Sequence, residues 1–309
     1  MRVLSLFDGI SCGMLALQRA CISVESYDAF EIDKYATTVS KNNFPEIVQH
    51  GNVFDGDFTQ FRGYDLLLGG SPCTYWSIAR QGRETNCDGE GFRLFSEYVR
   101  ALRESECRYF LYENNDSIHQ NIKDEISKWL GVQPIMINSA LVSGQNRKRC
   151  YWTNIPHVTQ PDDKGILLQD VLENGVSWQD KSYCITASYQ GAVLYNTLKR
   201  KQRSMAAVPI RVGKIGKGGQ GQRIYSVHGK SVSLSANGGG QGAKTGLYKI
   251  DLPDGDYIIR KLTPIEAERL QTLPDNYTVG ISDSQRYKCI GNGWTVDVIA
   301  HILGGLRNG

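Results

Sequence analysis

The first 155 residues alternate between short apolar runs and helix-like patterns, and this alternation constrains the fold more than any other feature. Val3–Phe7 reads as a strand, followed by a glycine-bearing turn from Gly9 to Gly13 and a helical run, Met14–Ala20. Val24–Ile32 reads as a second strand, Leu66–Leu68 as a short buried one, and Arg108–Glu113 as another. Between the last two, Leu94, Phe95, Tyr98, Val99 and Leu102 recur at helical spacing. Pro134–Val142 and Arg149–Ile155 add two strands, read as a hairpin around Gly144. Strands that alternate with helices imply an α/β fold with a doubly wound, mostly parallel sheet.

After Ile155 the pattern changes. Residues 157–256 have short β-like pieces, many glycines and few helices, and read as a second, smaller, β-rich domain. The α/β pattern resumes over 257–309. Thr263 suits an N-cap, Pro264 the first helical position and Glu266 the far side of a capping box, with the helix running to about Thr272. Thr295–Leu306 reads as a last helix, its apolar residues at Val296, Val298, Ile299, Ile302 and Leu303.

Charge is distributed unevenly along the chain. Lys181–Ile250 contains no Asp or Glu, 12 Lys plus Arg and 12 of the 33 glycines, while the other 239 residues carry 23 basic and 32 acidic side chains. A disordered basic linker and a surface facing a polyanion both fit such a segment. Tyr183, Tyr189, Tyr195, Tyr225, Tyr248, Val208, Ile210, Ile224 and Leu234 supply more apolar character than a linker needs, which favours a nucleic-acid surface. The eight cysteines form no C-x-x-C pair and no cluster with histidine, so neither zinc nor a disulfide framework is indicated and the compartment reads as reducing. No window approaches the roughly 18 apolar residues of a membrane span, and the N-terminal apolar run is too short for a signal peptide; a cytoplasmic, monomeric protein is expected.

Candidate chemistry gathers where α/β sheets place their ligands, at the carboxyl ends of strands. Gly69 and Gly70 end the Leu66–Leu68 strand, and Pro72 fixes the backbone before Cys73. Phe7-Asp-Gly-Ile-Ser-Cys-Gly13 joins a first strand to a first helix, and Glu31 ends the second strand 18 residues after Gly13. An acid at about that distance suits a ribose, so an adenosine-containing cofactor is expected. Glu113 ends its own strand, and Arg147 and Arg149, two apart, share a strand face.

These segments resemble, in order, the motifs of the DNA (cytosine-5) methyltransferases over nearly the whole chain. The matching runs are Phe7–Gly13, Gly70–Ser77 with its Pro-Cys pair, Glu113–Asn115, Gln145–Arg149, Arg260–Pro274 and Gly291–Val296. Three departures stand out. Asn52 lies where the family often has Asp, Asn115 where it has Val, and Gly293-Trp294 where it has Ser-Val. An Asn carbonyl still accepts a hydrogen bond from an adenine amino group, so cofactor binding is expected to be retained.

The resemblance implies S-adenosylmethionine as cofactor, held by Phe7, Gly9, Ile10, Gly13, Glu31, Ile32, Asn52, Val53, Pro72, Leu94, Asn292 and Trp294. Glu31 would take the ribose hydroxyls, with Ile32 and Val53 flanking the adenine. It implies Cys73 as the nucleophile at cytosine C6, a protonated Glu113 at N3, Arg149 at O2 and Arg147 at a backbone phosphate. It implies duplex DNA as partner, with the target base flipped out and a lid over Ile78–Gly91 bearing Arg80 and Arg83. Further DNA contacts are expected from Ser77, Gln145, Lys199, Arg200, Lys201, Arg223, Ser233 and Ser235. A cognate restriction endonuclease in the same system is compatible with this reading. The competing readings are a transfer-RNA cytosine methyltransferase on the same fold, a non-catalytic DNA-binding relative and a Cys-His hydrolase. The five histidines carry no motif that supports the last.

Overall fold

The structure is a computed structural model that describes residues 1–77, 81–175, 177–209, 224–226, 247–252 and 255–307, with side chains of 208–258 outside the description. A seven-stranded sheet organises the chain. Its strands are β1 (Arg2–Leu6), β2 (Ser26–Phe30), β3 (Val48–Gln49), β4 (Leu66–Gly69), β5 (Tyr109–Asn115), β6 (Ile135–Asn138) and β7 (Lys148–Thr153). They lie in the order β3-β2-β1-β4-β5-β7-β6. The first five in that order are parallel, whereas β7 runs antiparallel to both β5 and β6. The expected hairpin is therefore present as β6 and β7, inserted so that β7 lies against β5.

The period of two in each strand divides the core into two layers. Val3, Leu66, Leu68, Leu111 and Tyr151 face one side. There they meet α1 (Cys12–Arg19), α2 (Lys34–Asn43), α8 (Asp283–Asn292) and α9 (Val296–Leu303), together with α7 (Pro264–Leu270). Leu4, Leu6, Leu67, Phe110, Tyr112 and Trp152 face the other, against α3 (Glu90–Ser105) and α4 (Gln120–Leu130). Buried on both faces, β4 reads as the unbroken apolar run Leu66-Leu67-Leu68 rather than as an alternation. On α3, Phe92, Phe95, Tyr98 and Val99 supply the buried stripe, each worth roughly 1.5–3 kcal/mol of transfer free energy.

The capping box at Thr263 and Glu266 forms as the spacing predicts. Thr263 Oγ1 accepts from Glu266 N, and Glu266 Oε2 accepts from Thr263 N at 2.8 Å. Three helices of ten or more residues lie where no helix is read from the sequence. Asp33 caps α2 by accepting from Tyr35 N, α4 carries Ile122, Ile126 and Leu130 on one face, and α8 follows Ser282.

Beyond β7 come two short helices, α5 (Leu168–Val171) and α6 (Leu194–Leu198). A four-stranded sheet follows, built of β8 (Met205–Pro209), β9 (Ile224–Ser226), β10 (Leu247–Leu252) and β11 (Gly255–Lys261) in the order β8-β11-β10-β9. The expected smaller domain spans residues 157–256. Leu168, Val171, Ile185, Tyr189 and Ala192 are buried in the same core as α1 and α9, so the first layer continues past residue 157 without a break. At the other end, residue 256 falls inside β11, and the chain rejoins the first layer at Leu262.

Candidate active site

A cavity of about 800 Å³ opens at the carboxyl ends of β1, β2, β4 and β5. The turn after β1 forms one wall. Phe7, Gly9 and Ser11 adopt φ of 57°, 62° and 59°, a left-handed region that is unusual for the phenylalanine and serine. Asp8 holds the turn in this shape. Its buried carboxylate accepts from Ser5 Oγ (2.7 Å), Ser11 Oγ (2.6 Å) and Tyr27 Oη (2.7 Å). Burial pushes the Asp8 carboxyl above its ordinary value, while these three hydroxyls pull the other way.

Glu31 stands at the end of β2 against the same turn. Its Oε2 accepts from Gly9 N at 2.8 Å, and its Oε1 accepts from Ile32 N and Asp33 N at 2.8 and 2.7 Å. Burial raises its pKa although these amides work to lower it. Ile32 is 77% exposed and borders the cavity, an open apolar platform of the kind that a flat ring covers. Val53, Asn52, Ile10, Pro72, Leu94, Asn292 and Trp294 also line the cavity. The Asn52 side chain caps the Val53–Asp55 turn, its Oδ1 accepting from Phe54 N at 3.2 Å. Gly13, expected among the cofactor contacts, is not among the residues that line the cavity. It lies behind the wall, where an added Cβ would sit 2.7 Å from both Leu68 Cδ1 and Tyr27 Oη. Glycine is needed there for packing.

Cys73 opens a single 3-10 turn, Cys73–Tyr75, directly after the β4 loop and is exposed to the cavity. The loop is stapled to β5 rather than left free. Asn114 Nδ2 donates to Ser71 O at 3.1 Å, and Ser71 Oγ and Tyr112 Oη lie 2.6 Å apart. Within β5, Glu113 is buried next to this staple. Its Oε1 lies 2.9 Å from Arg149 Nε, and its Oε2 accepts from Trp294 Nε1 at 2.9 Å. Burial opposes the Arg149 charge, but Cys184, Glu113 and Cys73 more than compensate and hold its pKa above the ordinary arginine value.

Arg147 and Arg149 do share a face, since both reach Cys184 Sγ, at 3.3 and 3.8 Å. Burial raises the Cys184 pKa, and the two guanidinium groups outweigh it, leaving the thiol below its ordinary value. The phosphate role expected of Arg147 is not what the structure shows. Arg147 is 4% exposed and donates to Ile185 O (2.9 Å), Gly291 O (3.2 Å) and Gly293 O (2.8 Å). Its donors are directed at backbone carbonyls, so it clamps three distant segments together. Gln145, expected at DNA, is fully buried. It donates to Leu270 O and Gln271 Oε1 and accepts from Ile185 N.

Past the Cys73 turn, Arg83 and Glu84 are docked in this structure. Glu84 accepts from Trp76 Nε1 and Gly91 N, each at 3.1 Å, and Arg83 donates to Ser117 O at 2.7 Å. Gly91 belongs to α3, where a Cβ would lie 2.5 Å from Trp76 Nε1, so it serves close packing rather than a hinge. Ser77 is partly exposed just past the Cys73 turn. Lys199, Arg200 and Lys201 are exposed at the end of α6, beside Tyr195, Leu198 and Val193. Arg80, Arg223, Ser233 and Ser235 lie outside the described residues. Asp8, Ser71, Tyr112, Asn114 and Cys184 are site residues that the sequence reading does not single out.

A seven-stranded, mostly parallel sheet with these groups at its strand ends is a Rossmann-like methyltransferase fold. Solved structures agree with it. The methyltransferase EhMeth of Entamoeba histolytica superposes with a TM-score of 0.69 over 100% of this chain and 98% of that one, at 16% identity. A putative DNA modification methyltransferase from an E. coli prophage gives 0.60 at 20% identity, over 100% and 99%. The family model for C-5 cytosine-specific DNA methylases matches residues 1–308. Type II methyltransferase M.HhaI of Haemophilus parahaemolyticus is 30% identical over 323 residues, covering 98% of this chain and 93% of that protein. The chain belongs to the C-5 cytosine-specific DNA methylase family. Methyltransferases of this family use S-adenosylmethionine.

The Arg147 clamp separates two outcomes. Arg147→Ala should lower unfolding free energy by at least ~3 kcal/mol, since several hydrogen bonds from a charged donor, each roughly 1.5–3 kcal/mol, are lost together. Urea denaturation measures this. An unchanged midpoint, with a flatter salt dependence of nucleic-acid binding, would restore the phosphate role.

Proposed function

We propose that this enzyme methylates C5 of cytosine in duplex DNA, with Cys73 as nucleophile and Glu113 as the acid at the base edge. The observation that carries the reading is the meeting of Cys73, Glu113, Arg149 and Glu31 around one cavity. Cytosine C5 is a weak nucleophile. Addition of the Cys73 thiolate to C6 breaks the C5–C6 double bond and makes C5 electron-rich, and sulfur leaves again readily. Glu113, paired with Arg149, takes up a proton when the base enters and donates it to N3, which makes C6 more electrophilic. Arg149 keeps that carboxyl in place and offers its remaining N–H donors to the base's O2. When bound, S-adenosylmethionine supplies the sulfonium methyl group that C5 takes. Loss of the C5 proton to a base then re-forms the double bond and expels Cys73 as thiolate.

The residues at the cavity fit that cofactor. Glu31, pinned by three amides with its carboxylate turned to the cavity wall, offers acceptors for ribose hydroxyls. Ile32 and Val53 offer apolar faces to an adenine, and Gly9 in the left-handed region leaves open space beside the turn.

Duplex DNA is favoured as the carrier of the base by three features. The similarity to M.HhaI is one, the acid-free basic segment 181–250 another, and the exposed Lys199-Arg200-Lys201 cluster the third. Apolar Tyr195, Leu198 and Val193 beside these cations suit a surface that leaves water on binding. We assign residues 181–250 to DNA reading, with β8–β11 as its framework.

Radiolabelled methyl transfer tests the reading. Label should enter duplex DNA and not transfer RNA, and Cys73→Ser should abolish it while leaving DNA binding within about tenfold, because a hydroxyl ionises far less than a thiol near neutral pH. Label in transfer RNA alone would move the substrate to RNA, and near-normal activity of Cys73→Ser would remove the nucleophile assignment.

Glu31 gives a pH signature. Ribose hydroxyls donate to the carboxylate and lose that acceptor when it takes up a proton. Because burial raises the Glu31 pKa, the loss should begin at a pH above the ordinary glutamate value of 4.5 as the solution is acidified. Calorimetry of S-adenosylhomocysteine should show affinity falling as pH drops through that raised value, and Glu31→Gln should flatten the profile. A midpoint at or below 4.5 would contradict it.

A further inference from the structure

We infer that Trp294 is a positioning residue for Glu113, holding the plane of the catalytic carboxyl from the side opposite Arg149. The inference rests on the cytosine-methylation reading above and adds to it a residue at which this chain departs from the Ser-Val pattern. A carboxyl group has about four acceptor sites, two on each oxygen. Arg149 Nε occupies one on Oε1, and Trp294 Nε1 occupies one on Oε2. One site on each oxygen is left. The cytosine edge needs one O–H donor to N3 and one acceptor for the exocyclic amine, so two free sites on different oxygens match it. An indole N–H donates only, and it therefore fixes Oε2 without competing for the proton that N3 requires.

Packing shows that this contact is built in. The indole lies between two glycines at the start of α1 and in the nucleophile loop. A Cβ on Gly70 would come within 3.0 Å of Glu113 Oε2 and 3.3 Å of Trp294 Nε1, and one on Gly13 within 3.7 Å of the indole Cζ3. The residues on both sides of Trp294 are pinned as well. Gly293 O accepts from Arg147 Nη2 (2.8 Å) and Gln271 Nε2 (3.1 Å), and Thr295 Oγ1 donates to Gln271 Oε1 (2.8 Å). A side chain held this way delivers its donor without reorganisation at the moment of reaction.

Two measurements test the inference. The first needs no activity. In a ¹H–¹⁵N spectrum of the full chain, the Trp294 indole resonance, identified by its loss in Trp294→Phe, should shift more in Glu113→Gln than those of the other four tryptophans. A resonance that stays in place overturns the inference. The second is a double-mutant cycle in single-turnover methyl transfer. Trp294→Phe, which keeps a ring in the space, should slow transfer about tenfold, near the upper end of the effect of losing one hydrogen bond between neutral groups. Its affinity for S-adenosylhomocysteine should change less than about twofold. In the Glu113→Gln background the same substitution should change the residual rate less than about twofold, because the partner is already altered. Multiplicative effects would show that Trp294 does not act through Glu113. Weakened cofactor binding with normal transfer would make it a cofactor contact instead. A wild-type protein that methylates neither DNA nor RNA overturns the underlying reading, and the indole resonance still decides whether the contact exists.

Discussion

The buried pairing of Glu113 with Arg149 is the constraint around which the rest of the site is arranged. A carboxyl at the end of a parallel strand and a guanidinium facing it are both expensive to take out of water, and each is tolerated there because of the other. The topology supplies the meeting. β7 runs antiparallel to β5, so the start of β7 lies against the end of β5, with Asn115 opposite Arg149 and Glu113 opposite Tyr151. An all-parallel sheet would deliver the start of that strand to the wrong edge. Arginine suits the position because it keeps its charge when buried and presents donors in a fixed plane. Removing either partner would leave the other charge unpaired in the core.

A second tier of polar contacts holds separate parts of the chain at this edge. Arg147 joins the segment before β7 to Ile185 and to the turn between α8 and α9. Gln145 and Gln271 tie the same region to the end of α7. Motif residues that look like ligand contacts in the sequence thus divide into two kinds. Glu31, Cys73 and Glu113 face the cavity, Gln145 lies wholly in the frame behind it, and Arg147, which also borders the cavity, spends its donors on the carbonyls that keep Gly291–Trp294 in place.

The distinction explains what was legible in the sequence. Strand and helix periodicity located β1, β4, β5, the β6–β7 hairpin, α3 and α9, because apolar spacing records burial directly. The Thr263–Glu266 box was readable because its chemistry is local. Helix α2 was not, since its Lys-Tyr-Ala-Thr-Thr run has weak helix preference and depends on the Asp33 cap and on packing of Ala36 and Val39. The burial of Arg147 was not readable either. Spacing placed it correctly beside Arg149, but an arginine reads the same in sequence whether it faces water or three carbonyls. The Trp294–Glu113 contact lay beyond reach for a related reason, as the two residues are 181 apart in sequence. That Leu168, Ile185 and Tyr189 pack in the first core was not readable either, because they are too sparsely spaced to announce it.

Covalent trapping tests the central claim most directly. In a duplex that carries 5-fluorocytosine at the target position, fluorine replaces the C5 proton whose loss releases the enzyme, so a Cys73 adduct formed in the presence of S-adenosylmethionine cannot be eliminated. Proteolysis and mass spectrometry of the trapped complex should find the modified, methylated base on the peptide containing Cys73 and on no other of the eight cysteines. An adduct on a different cysteine, or efficient methylation of unsubstituted DNA with no adduct on the fluorinated duplex, would contradict the assignment of Cys73 and Glu113 as the centre of the reaction.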